Sequence, residues 1–401
     1  MNPRPQEAAR ANNTPLSIGA NLWITGLGSQ YPPYLLGPEK LEQFASKFYD
    51  IENAGLKKLL QINRTTGIET RASVRSYDSG FTNHTDPPSI IDINHFFRKA
   101  GVDLTVQACK KALREWAGDY SDITHTIGVT CTNQGNPGYD LLVNQKLGLE
   151  PNVDRTLLQG VGCAGGLAIM RVAAQIACGA SMRGRPARIL AFACELCTPN
   201  VRCDLAEVVK CSDPSAVCIA GALFSDGAAA FVLCNDYGLS DNTQPILQLL
   251  EWGNATLPDT AQHMGFYADP LGFRTVLTRN VPELATRAIA PMFQSLLPEV
   301  KARLGKRAWE VGDFDWALHP GGEAIIDGAK ELLQLSDDQL RATREIYRTR
   351  GNSSSPTVLI VLDKLRNMGI GRDQIVATSF GPGLAIEMSI FKKCREETME
   401  W

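Results

Sequence analysis

The chain has 401 residues, of which 44% are hydrophobic and 21% charged, a composition typical of a globular enzyme with a large buried core. Its 40 basic and 43 acidic residues leave a formal net charge of −3, which argues against a nucleic-acid-binding protein. No apolar run reaches the roughly 20 residues of a membrane-spanning helix, and the N-terminus lacks the apolar stretch of a secretory signal. We therefore expect a cytoplasmic protein without a membrane span.

The first half of the chain alternates between predicted strands and helices. Residues 1–16 are polar, and we predict a disordered tail there. Apolar runs and helical spacing then predict, in chain order, a strand at 17–27, a helix from 37, a helix at 93–117, a strand at 126–131, a helix at 167–178, and strands at 188–194 and 227–234.

The second half repeats this style. The same patterns predict a strand at 246–252, a helix at 281–304, a strand at 314–318, helices at 323–333, 337–349 and 356–368, and strands at 374–380 and 384–391. Strands that alternate with helices indicate an α/β fold. The polar segment 235–245 is the best candidate for the junction, so we predict an N-terminal half at 17–240 and a C-terminal half at 241–401.

The 11 cysteines do not indicate a disulfide framework, because their number is odd and no export signal is present. Most should be small buried side chains. Cys194 and Cys197 have the spacing of a zinc-binding pair. A second pair is missing, however, and Cys194 ends an apolar strand, so we predict buried thiols and no metal site.

Cys163 has a different setting from the other thiols. It lies in a glycine-flanked turn, residues 160–166 (GVGCAGG), just before an apolar helix. Small neighbours would let a substrate approach, and a helix N-terminus favours a thiolate and lowers the thiol pKa. A thiol at this place suits attack on a thioester. A close-packed structural cysteine is the alternative interpretation.

Two further residues could complete a site. His319 follows an apolar strand and precedes a Pro-Gly-Gly turn, and sites gather at such strand ends. Asn352 lies in residues 351–355 (GNSSS) and could donate a hydrogen bond to a developing oxyanion beside a histidine. The alternatives are a solvated loop histidine and a helix-capping asparagine. The other four histidines (His84, His95, His125 and His263) have no such context, and we interpret them as surface or structural.

Five segments, which occur along the chain in the family's order, resemble those of the type III polyketide synthases, the chalcone-synthase-like branch of the thiolase superfamily. The resemblance extends over nearly the whole chain from about residue 17. The segments are the turn of Cys163, the loop of His319 (HPGG), the loop of Asn352 (GNSSS), residues 380–383 (FGPG) and residues 222–230 (ALFSDGAAA), which would carry a gatekeeper phenylalanine at Phe224.

The resemblance implies a thiolase fold, α/β with two fused five-layered αβαβα halves, in a homodimer. Cys163 would accept an acyl group from a CoA starter. His319 and Asn352 would hold the thioester carbonyl of malonyl-CoA and stabilise the enolate formed as CO₂ leaves. No metal, redox cofactor or acyl carrier protein would be needed.

Departures from the family pattern concern the substrate pocket. Thr275 replaces a second gatekeeper aromatic and Asn200 replaces a pocket threonine, so we expect a wider pocket that suits a fatty acyl chain. Asn133 and Gly383 complete the predicted pocket. A dimer-contact methionine of the plant enzymes corresponds to Asn136. Lys58 and Arg64 are the predicted contacts for the CoA phosphates, with solvated helix charges as the alternative.

The N-terminal half resembles the fungal members, most of all the csypyrone-type alkyl-pyrone synthases. This implies a fatty acyl-CoA starter, malonyl-CoA as extender, and acetoacetyl-CoA as a possible third substrate. An alkylresorcinol-forming polyketide synthase and an initiating ketoacyl synthase of fatty-acid synthesis are the enzyme alternatives. A degenerate protein that binds acyl-CoA without condensing it is the non-enzymatic alternative.

Overall fold

The structure, a computed structural model, describes residues 20–78, 80, 83–305, 308–369 and 371–394. The predicted tail at 1–16 and the start of the predicted first strand lie outside the described residues. The strands are β1 (Leu22–Gln30), β2 (Tyr34–Leu36), β3 (Arg71–Ser73), β4 (His125–Val129), β5 (Asp154–Leu158), β6 (Arg188–Leu196), β7 (Asp226–Asn235), β8 (Leu247–Thr256), β9 (Met264–Asp269), β10 (Gly272–Leu277), β11 (Phe314–Leu318), β12 (Gln374–Gly381) and β13 (Ala385–Lys393).

The helices carry the apolar faces that cover these strands. They are α1 (Pro38–Ala45), α2 (Ala54–Thr65), α3 (Ile90–Trp116), α4 (Tyr139–Leu147), α5 (Gly165–Met182), α6 (Val201–Lys210), α7 (Ala220–Leu223), α8 (Val281–Leu304), α9 (Glu323–Leu333), α10 (Arg341–Arg350) and α11 (Thr357–Leu365).

Nine strands form one mixed sheet in the order β11-β12-β13-β8-β1-β7-β6-β4-β5. The runs β4-β6-β7-β1 and β11-β12-β13-β8 share one pattern, a parallel pair followed by two antiparallel pairs. The two runs meet through a short antiparallel ladder of three residue pairs between β1 and β8. The chain is therefore built from two similar halves, and the predicted α/β fold is confirmed.

Two helices lie at the centre of the molecule. Apolar residues of α5 and α11 form one core cluster with side chains from strands of both halves. Helices α3 and α4 cover the outer face of the N-terminal strands, while α8 and α9 cover that of the C-terminal strands. Five layers, αβαβα, thus arise from both halves together rather than within each half.

Of the two central helices, α5 is long and strongly apolar. Within the described residues, Gly162–Met182 is the one helical segment with the length and hydropathy of a membrane span, and 61% of its apolar window is buried inside the protein. A helix that is apolar on most sides is expected in the core of a layered fold.

The structure contains elements that the apolar patterns did not predict. These are β2, β3, β5, α2, α4, α6, α7 and the β9–β10 hairpin. In addition, the helix predicted from 337 begins at Arg341, because Ser336 and Gln339 bond to each other's backbone N–H and form a separate turn. Most of these elements are short, so their apolar pattern has few repeats by which it could be recognised.

Candidate active site

A cavity of about 870 Å³ lies between the two halves and is lined by residues of both. Seven of the ten residues predicted for the site contribute to its wall: Lys58, Cys163, Asn200, Phe224, Thr275, His319 and Asn352. The structure thus brings together side chains that are up to 294 positions apart in the sequence (Lys58 and Asn352).

Cys163 is held in a tight turn, Gly162–Ala164, that leads into α5. Gly162 has a φ of +46°, and a side chain there would strike the ring of Pro382. Gly381 must also lack a side chain, because the backbone of Val161 and Ala164 lies against it. The predicted FGPG loop therefore supports the turn that presents the thiol.

Burial dominates the acidity of this thiol. Cys163 is 9% exposed, and desolvation raises its pKa to about 11, although a hydrogen bond with Ser354 opposes the shift. The expectation that the helix N-terminus would lower the thiol pKa is wrong for the free enzyme, because desolvation disfavours the thiolate more strongly than the helix favours it.

His319 directly follows β11, and its backbone N–H donates to the carbonyl of Thr378 on β12 at 2.8 Å. The side chain is 1% exposed, and burial lowers the pKa of the imidazole to about 3. Neither ring nitrogen has a hydrogen-bond partner among the described residues. A neutral imidazole on the cavity wall can thus donate one N–H to a bound oxygen.

Asn352 is fixed by its backbone and by its side chain. Its N–H donates to Leu223 and its carbonyl accepts from Ser225, which pins the loop beside the segment of Phe224. Its Oδ1 accepts from the backbone N–H of Ser354 at 2.7 Å. Because Oδ1 is engaged, the amide NH₂ is the group left to donate to a substrate oxygen.

These three side chains combine a nucleophile with two neutral donors. A thiolate–imidazolium pair of Cys163 and His319 would be stabilised by its opposite charges, which lower the thiol pKa and raise the imidazole pKa. When the thiol is occupied, the N–H groups of His319 and Asn352 can stabilise an oxyanion. The arrangement suits thioester exchange followed by enolate chemistry, and these catalytic roles remain predictions.

Ser354 was not singled out in the sequence, although it lies in the GNSSS segment. Its Oγ is 3.3 Å from the Sγ of Cys163 and 4.0 Å from the Sγ of Cys131. Its backbone has a φ of +58°, an uncommon value for a residue other than glycine. This conformation directs the hydroxyl to the two thiols.

Replacing Ser354 with alanine should slow acylation of Cys163 about tenfold, because a hydroxyl donor to the developing thiolate is lost. Alkylation by iodoacetamide should also shift to higher pH, since the hydrogen bond from Ser354 lowers the pKa of this thiol. Ser353→Ala is the matched control, because Ser353 bonds to Ser225 instead. Equal alkylation profiles for the two variants would contradict a role for the Ser354 hydroxyl.

A buried carboxylate, Glu195, connects two loops that lie beside the thiol of Cys163. Glu195 is fully buried and accepts hydrogen bonds from Cys131 N, Thr132 N and the Ser355 hydroxyl, among others. Burial raises its pKa above the ordinary value even though these bonds lower it. Glu195 therefore ties the loop of Cys131 to the loop of Asn352 and holds both beside the thiol.

The β9–β10 hairpin forms the wall where the sequence indicated a wider pocket. Thr275 is paired with Phe266 across the hairpin, and both line the cavity. Directly opposed residues of an antiparallel pair share one face, so Phe266 supplies an aromatic ring next to the small Thr275. Phe266 also stacks on Phe273 at 4.8 Å. The wider pocket expected from Thr275 stays a prediction.

Asn200 connects this hairpin to the N-terminal half. Its amide accepts from Phe273 N at 2.7 Å and donates to Phe273 O at 2.8 Å. Asn200 thus fixes the hairpin in addition to lining the cavity.

Three residues predicted for the pocket or for CoA lie off the cavity wall. Asn133 is buried against Asn94, to which it donates at 2.9 Å. Gly383 accepts from Thr260 at 3.0 Å, while its neighbour Pro382 lines the cavity. Arg64 forms a surface ion pair with Glu42. A direct part for these three in the pocket or in CoA binding remains a prediction that this placement does not support.

Asp204 is a carboxylate on the cavity wall that sequence reasoning missed. It lies on α6, beside Asn200, whose amide donates to its Oδ1 at 3.1 Å. Desolvation raises the pKa of Asp204 from its ordinary 3.8 to about 7, opposed by the Asn200 hydrogen bond and the charge of Arg71. No apolar pattern identifies such a residue, because only the tertiary structure shows which side of α6 faces the cavity.

Replacing Asp204 with asparagine should stabilise the protein at neutral and higher pH. Below the ordinary carboxyl pKa, Asp204 is neutral in both folded and unfolded chains. As the pH rises to about 7, only the folded chain must retain a proton, so wild-type stability falls. We expect the variant to gain about 2 kcal/mol at about pH 8 and little at about pH 4.5, with a plateau above pH 7.

Urea unfolding at both pH values measures this difference. Glu207→Gln is the control, because Glu207 lies on α6 in a surface ion pair. The titratable groups that influence or respond to Asp204 are Arg71, Tyr77, Cys203 and Cys218, and they are unchanged in the variant. A pH-independent stability difference would contradict the raised pKa of Asp204.

The zinc alternative is not supported. Cys194 is fully buried within β6, whereas Cys197 lies on the cavity wall. Over the described ranges, no group of three or more His, Cys, Asp or Glu side chains is placed to hold a metal ion. His263, interpreted from sequence as surface or structural, lies on the cavity wall and bonds to Thr278 at 2.8 Å.

Two family models match the chain. The model described as "Chalcone and stilbene synthases, N-terminal domain" matches residues 28–237, and the one described as "Chalcone and stilbene synthases, C-terminal domain" matches residues 249–394. The predicted boundary at 240/241 lies between the two matched regions and stays a prediction.

Known proteins are similar over most of their length. The "Type III polyketide synthase pspB" of Penicillium soppii is 65% identical over 93% of this chain and 96% of its own length. The "Acylalkylpyrone synthase csyB" of Aspergillus oryzae is 35% identical over 92% of this chain and 94% of its own length. The crystal structure of CsyB complexed with CoA-SH has a TM-score of 0.88 at 34% identity and covers 93% of this chain and 100% of that one.

Proposed function

Because this chain belongs to the chalcone and stilbene synthase family and is a type III polyketide synthase with a thiolase-like fold, we propose that it condenses a fatty acyl-CoA with malonyl-CoA and closes the product to an alkyl pyrone. The observation that carries the proposal is one cavity that holds Cys163, His319 and Asn352 together with a long apolar wall. The name of the Aspergillus relative supports the alkyl pyrone product.

The first step is acyl transfer to Cys163. The Sγ attacks the carbonyl carbon of the starter thioester, while its proton passes to His319. The C–S bond to CoA then breaks, and the CoA thiolate takes up the proton as it leaves. One thioester replaces another, so no net energy input is needed.

The second step is decarboxylation and condensation. The malonyl thioester oxygen accepts hydrogen bonds from His319 and Asn352, and the bond to the carboxylate carbon breaks as CO₂ leaves. The resulting enolate carbon attacks the carbonyl of the acyl–Cys163 thioester, and the Cys163 thiolate departs. The two neutral donors stabilise the enolate oxygen, which carries the developing charge.

The cavity wall carries two cations that could bind the phosphates of CoA. Lys58 on α2 and Arg279 just before α8 line the cavity, and neither forms an ion pair within the described part of the chain. Unpaired cations suit the diphosphate and the 3′-phosphate of CoA. We therefore pair Lys58 with Arg279, rather than with Arg64, as contacts for the CoA phosphates.

The remaining parts of the proposal come from the family resemblance. Acetoacetyl-CoA is the third substrate, because an acyl chain joined to an acetoacetyl unit yields an acetyl-bearing alkyl pyrone. The chemistry proceeds through CoA thioesters without a metal or redox cofactor. The enzyme is cytoplasmic and forms a homodimer. Light scattering on the purified protein tests the dimer.

Product mass spectrometry across a series of acyl-CoAs tests the proposal directly. Each reaction contains malonyl-CoA alone or malonyl-CoA with acetoacetyl-CoA. Alkyl pyrones from fatty starters support the proposal, and incorporation of labelled acetoacetyl-CoA supports the third substrate. Alkylresorcinols as the main products would assign aldol closure instead, and a strict need for malonyl on a carrier protein would overturn the use of malonyl-CoA.

Replacing Thr275 with phenylalanine should shorten the preferred starter. The new ring would lie beside Phe266 and narrow the apolar part of the cavity, so kcat/KM for the longest starters should fall about tenfold or more, with short starters little affected. Thr275→Val is the matched control, because it keeps the size of the side chain. The same chain-length profile in both variants would contradict a place for the chain beside Thr275.

A further inference from the structure

Among the described residues, two carboxylates line the cavity, Glu323 at the start of α9 and Asp204 on α6, and neither has a part in the proposed reaction. Among the cavity-lining residues, Lys58 and Arg279 suit the CoA phosphates, and His319 belongs to the reacting centre. Asp204 belongs to the N-terminal half and lies on the helix that also carries the buried Cys203 and Leu205. A carboxyl group is unusual at this place, because the surrounding wall is largely apolar. The apolar residues of the wall include Val217, Ile219, Leu223, Val276 and Leu277.

One oxygen of this carboxylate is engaged and the other is open. Oδ1 accepts from the Asn200 amide, which is itself fixed by two hydrogen bonds to Phe273. Oδ2 accepts no hydrogen bond from any described residue. Its neighbour Gly221 has no side chain to cover it, since even a Cβ there would lie 3.9 Å from Oδ2. The open oxygen therefore remains accessible to a group in the cavity.

A purely hydrocarbon chain does not match this wall. Filling the cavity with methylene groups would remove water from Oδ2 and leave a carboxyl oxygen unpaired, which is unfavourable. A chain that carries a hydroxyl or an enol at this depth would instead donate to Oδ2. Such an O–H can come from the starter or from the β-keto segments added during extension.

We propose that Asp204 is a specificity-determining residue whose open carboxyl oxygen accepts a hydrogen bond from a hydroxyl or enol group of the acyl chain in the cavity. This inference rests on the proposed function, because it assumes that the chain attached to Cys163 occupies the cavity. Asn200 acts as a positioning residue, since it orients the carboxyl group from the hairpin side.

The test compares a saturated fatty acyl-CoA with hydroxyacyl-CoAs of the same length, in which the hydroxyl is moved along the chain. Wild type, Asp204→Leu, Asp204→Asn and the surface control Glu207→Leu are measured for the rate of acyl–Cys163 formation and for the number of malonyl units in each product. Mass spectrometry of the intact protein and of the products supplies both readouts.

A starter hydroxyl as the ligand predicts that wild type prefers one hydroxyacyl-CoA and that Asp204→Leu loses this preference by about tenfold. An enol of the extended chain predicts equal acylation in all variants and a change of about tenfold in the ratio of longer to shorter products in Asp204→Leu. Either result supports the inference and identifies the source of the O–H group. Wild-type behaviour of Asp204→Leu in both readouts would overturn it.

Two further results keep the test decisive. If Asp204→Leu does not fold, Asp204→Asn replaces it, with an expected change of about threefold in the same readout, because a neutral acceptor binds an O–H more weakly than a carboxylate. An unchanged starter preference together with an unchanged product ratio would overturn the inference. If no starter acylates Cys163 in the wild type, the proposed function fails. If Cys163 is acylated and products form, but the Asp204 variants behave like the wild type, only the role of Asp204 is refuted.

Discussion

Replacement of Cys163 with alanine is expected to abolish the acyl-enzyme and to lower polyketide formation by roughly 10⁴-fold or more, because the acyl group then has no covalent attachment. Intact-protein mass spectrometry after mixing with a fatty acyl-CoA should show an adduct in the wild type and none in Cys163→Ala. Decarboxylation of malonyl-CoA should continue in this variant, since the donors His319 and Asn352 remain in place. Released CO₂ and acetyl-CoA measure that partial reaction.

Cys197→Ala is the control for this experiment. Cys197 also lines the cavity, and burial raises its pKa well above the ordinary value. Its replacement should leave the adduct intact, because it has no hydroxyl partner equivalent to Ser354 among the described residues. An adduct that persists in Cys163→Ala and disappears in Cys197→Ala would show that Cys197, and not Cys163, is the nucleophile.

The second large effect is expected when one of the two hydrogen-bond donors to the enolate oxygen, His319 or Asn352, is replaced. Replacing Asn352 with alanine should slow decarboxylation of malonyl-CoA by about 10²–10³-fold, the usual loss for one oxyanion donor, while acylation of Cys163 still occurs. The two variants would then separate the partial reactions: Cys163→Ala loses acylation, and Asn352→Ala loses decarboxylation.

Because Asn352 also holds the Ser354 loop through its Oδ1, a second variant is needed. His319→Gln keeps a donor of similar reach without changing that loop, and it should show a smaller loss of decarboxylation than His319→Ala. His263→Gln is the control, since His263 lies on the same cavity wall but bonds to Thr278. Normal decarboxylation in both Asn352→Ala and His319→Ala would show that these groups do not stabilise the enolate.

Both experiments depend on the unusual electrostatics of the cavity. Burial raises the thiol pKa of Cys163 and lowers the imidazole pKa of His319, so each group is neutral by itself at physiological pH. The neutral imidazole is suited to donating a hydrogen bond to the enolate oxygen. The thiolate needed for acylation is then tied to proton transfer within the cavity and to the Ser354 hydroxyl.

The long apolar elements and the principal residues of the site could be predicted from the sequence. The helices at 281–304 and 323–333 were predicted with the bounds that the structure has, because apolar residues recur along both at helical spacing. Cys163, His319 and Asn352 stood out because turn residues surround each of them, and their segments occur in the order of a known family. The short hairpin strands β9 and β10 gave no comparable signal.

Only the tertiary structure decided which side chains meet around the cavity and how acidic they are. Phe266 offsets the small Thr275 because the hairpin places them opposite each other, and Asp204 and Arg279 face the cavity while Arg64 does not. Periodicity describes the apolar face of each element, whereas contacts between distant segments depend on how the halves pack. The sequence by itself therefore determined the fold class, the nucleophile candidate and its partners. Packing determined the pocket wall, and the desolvation that packing causes reversed the expected pKa shift of Cys163.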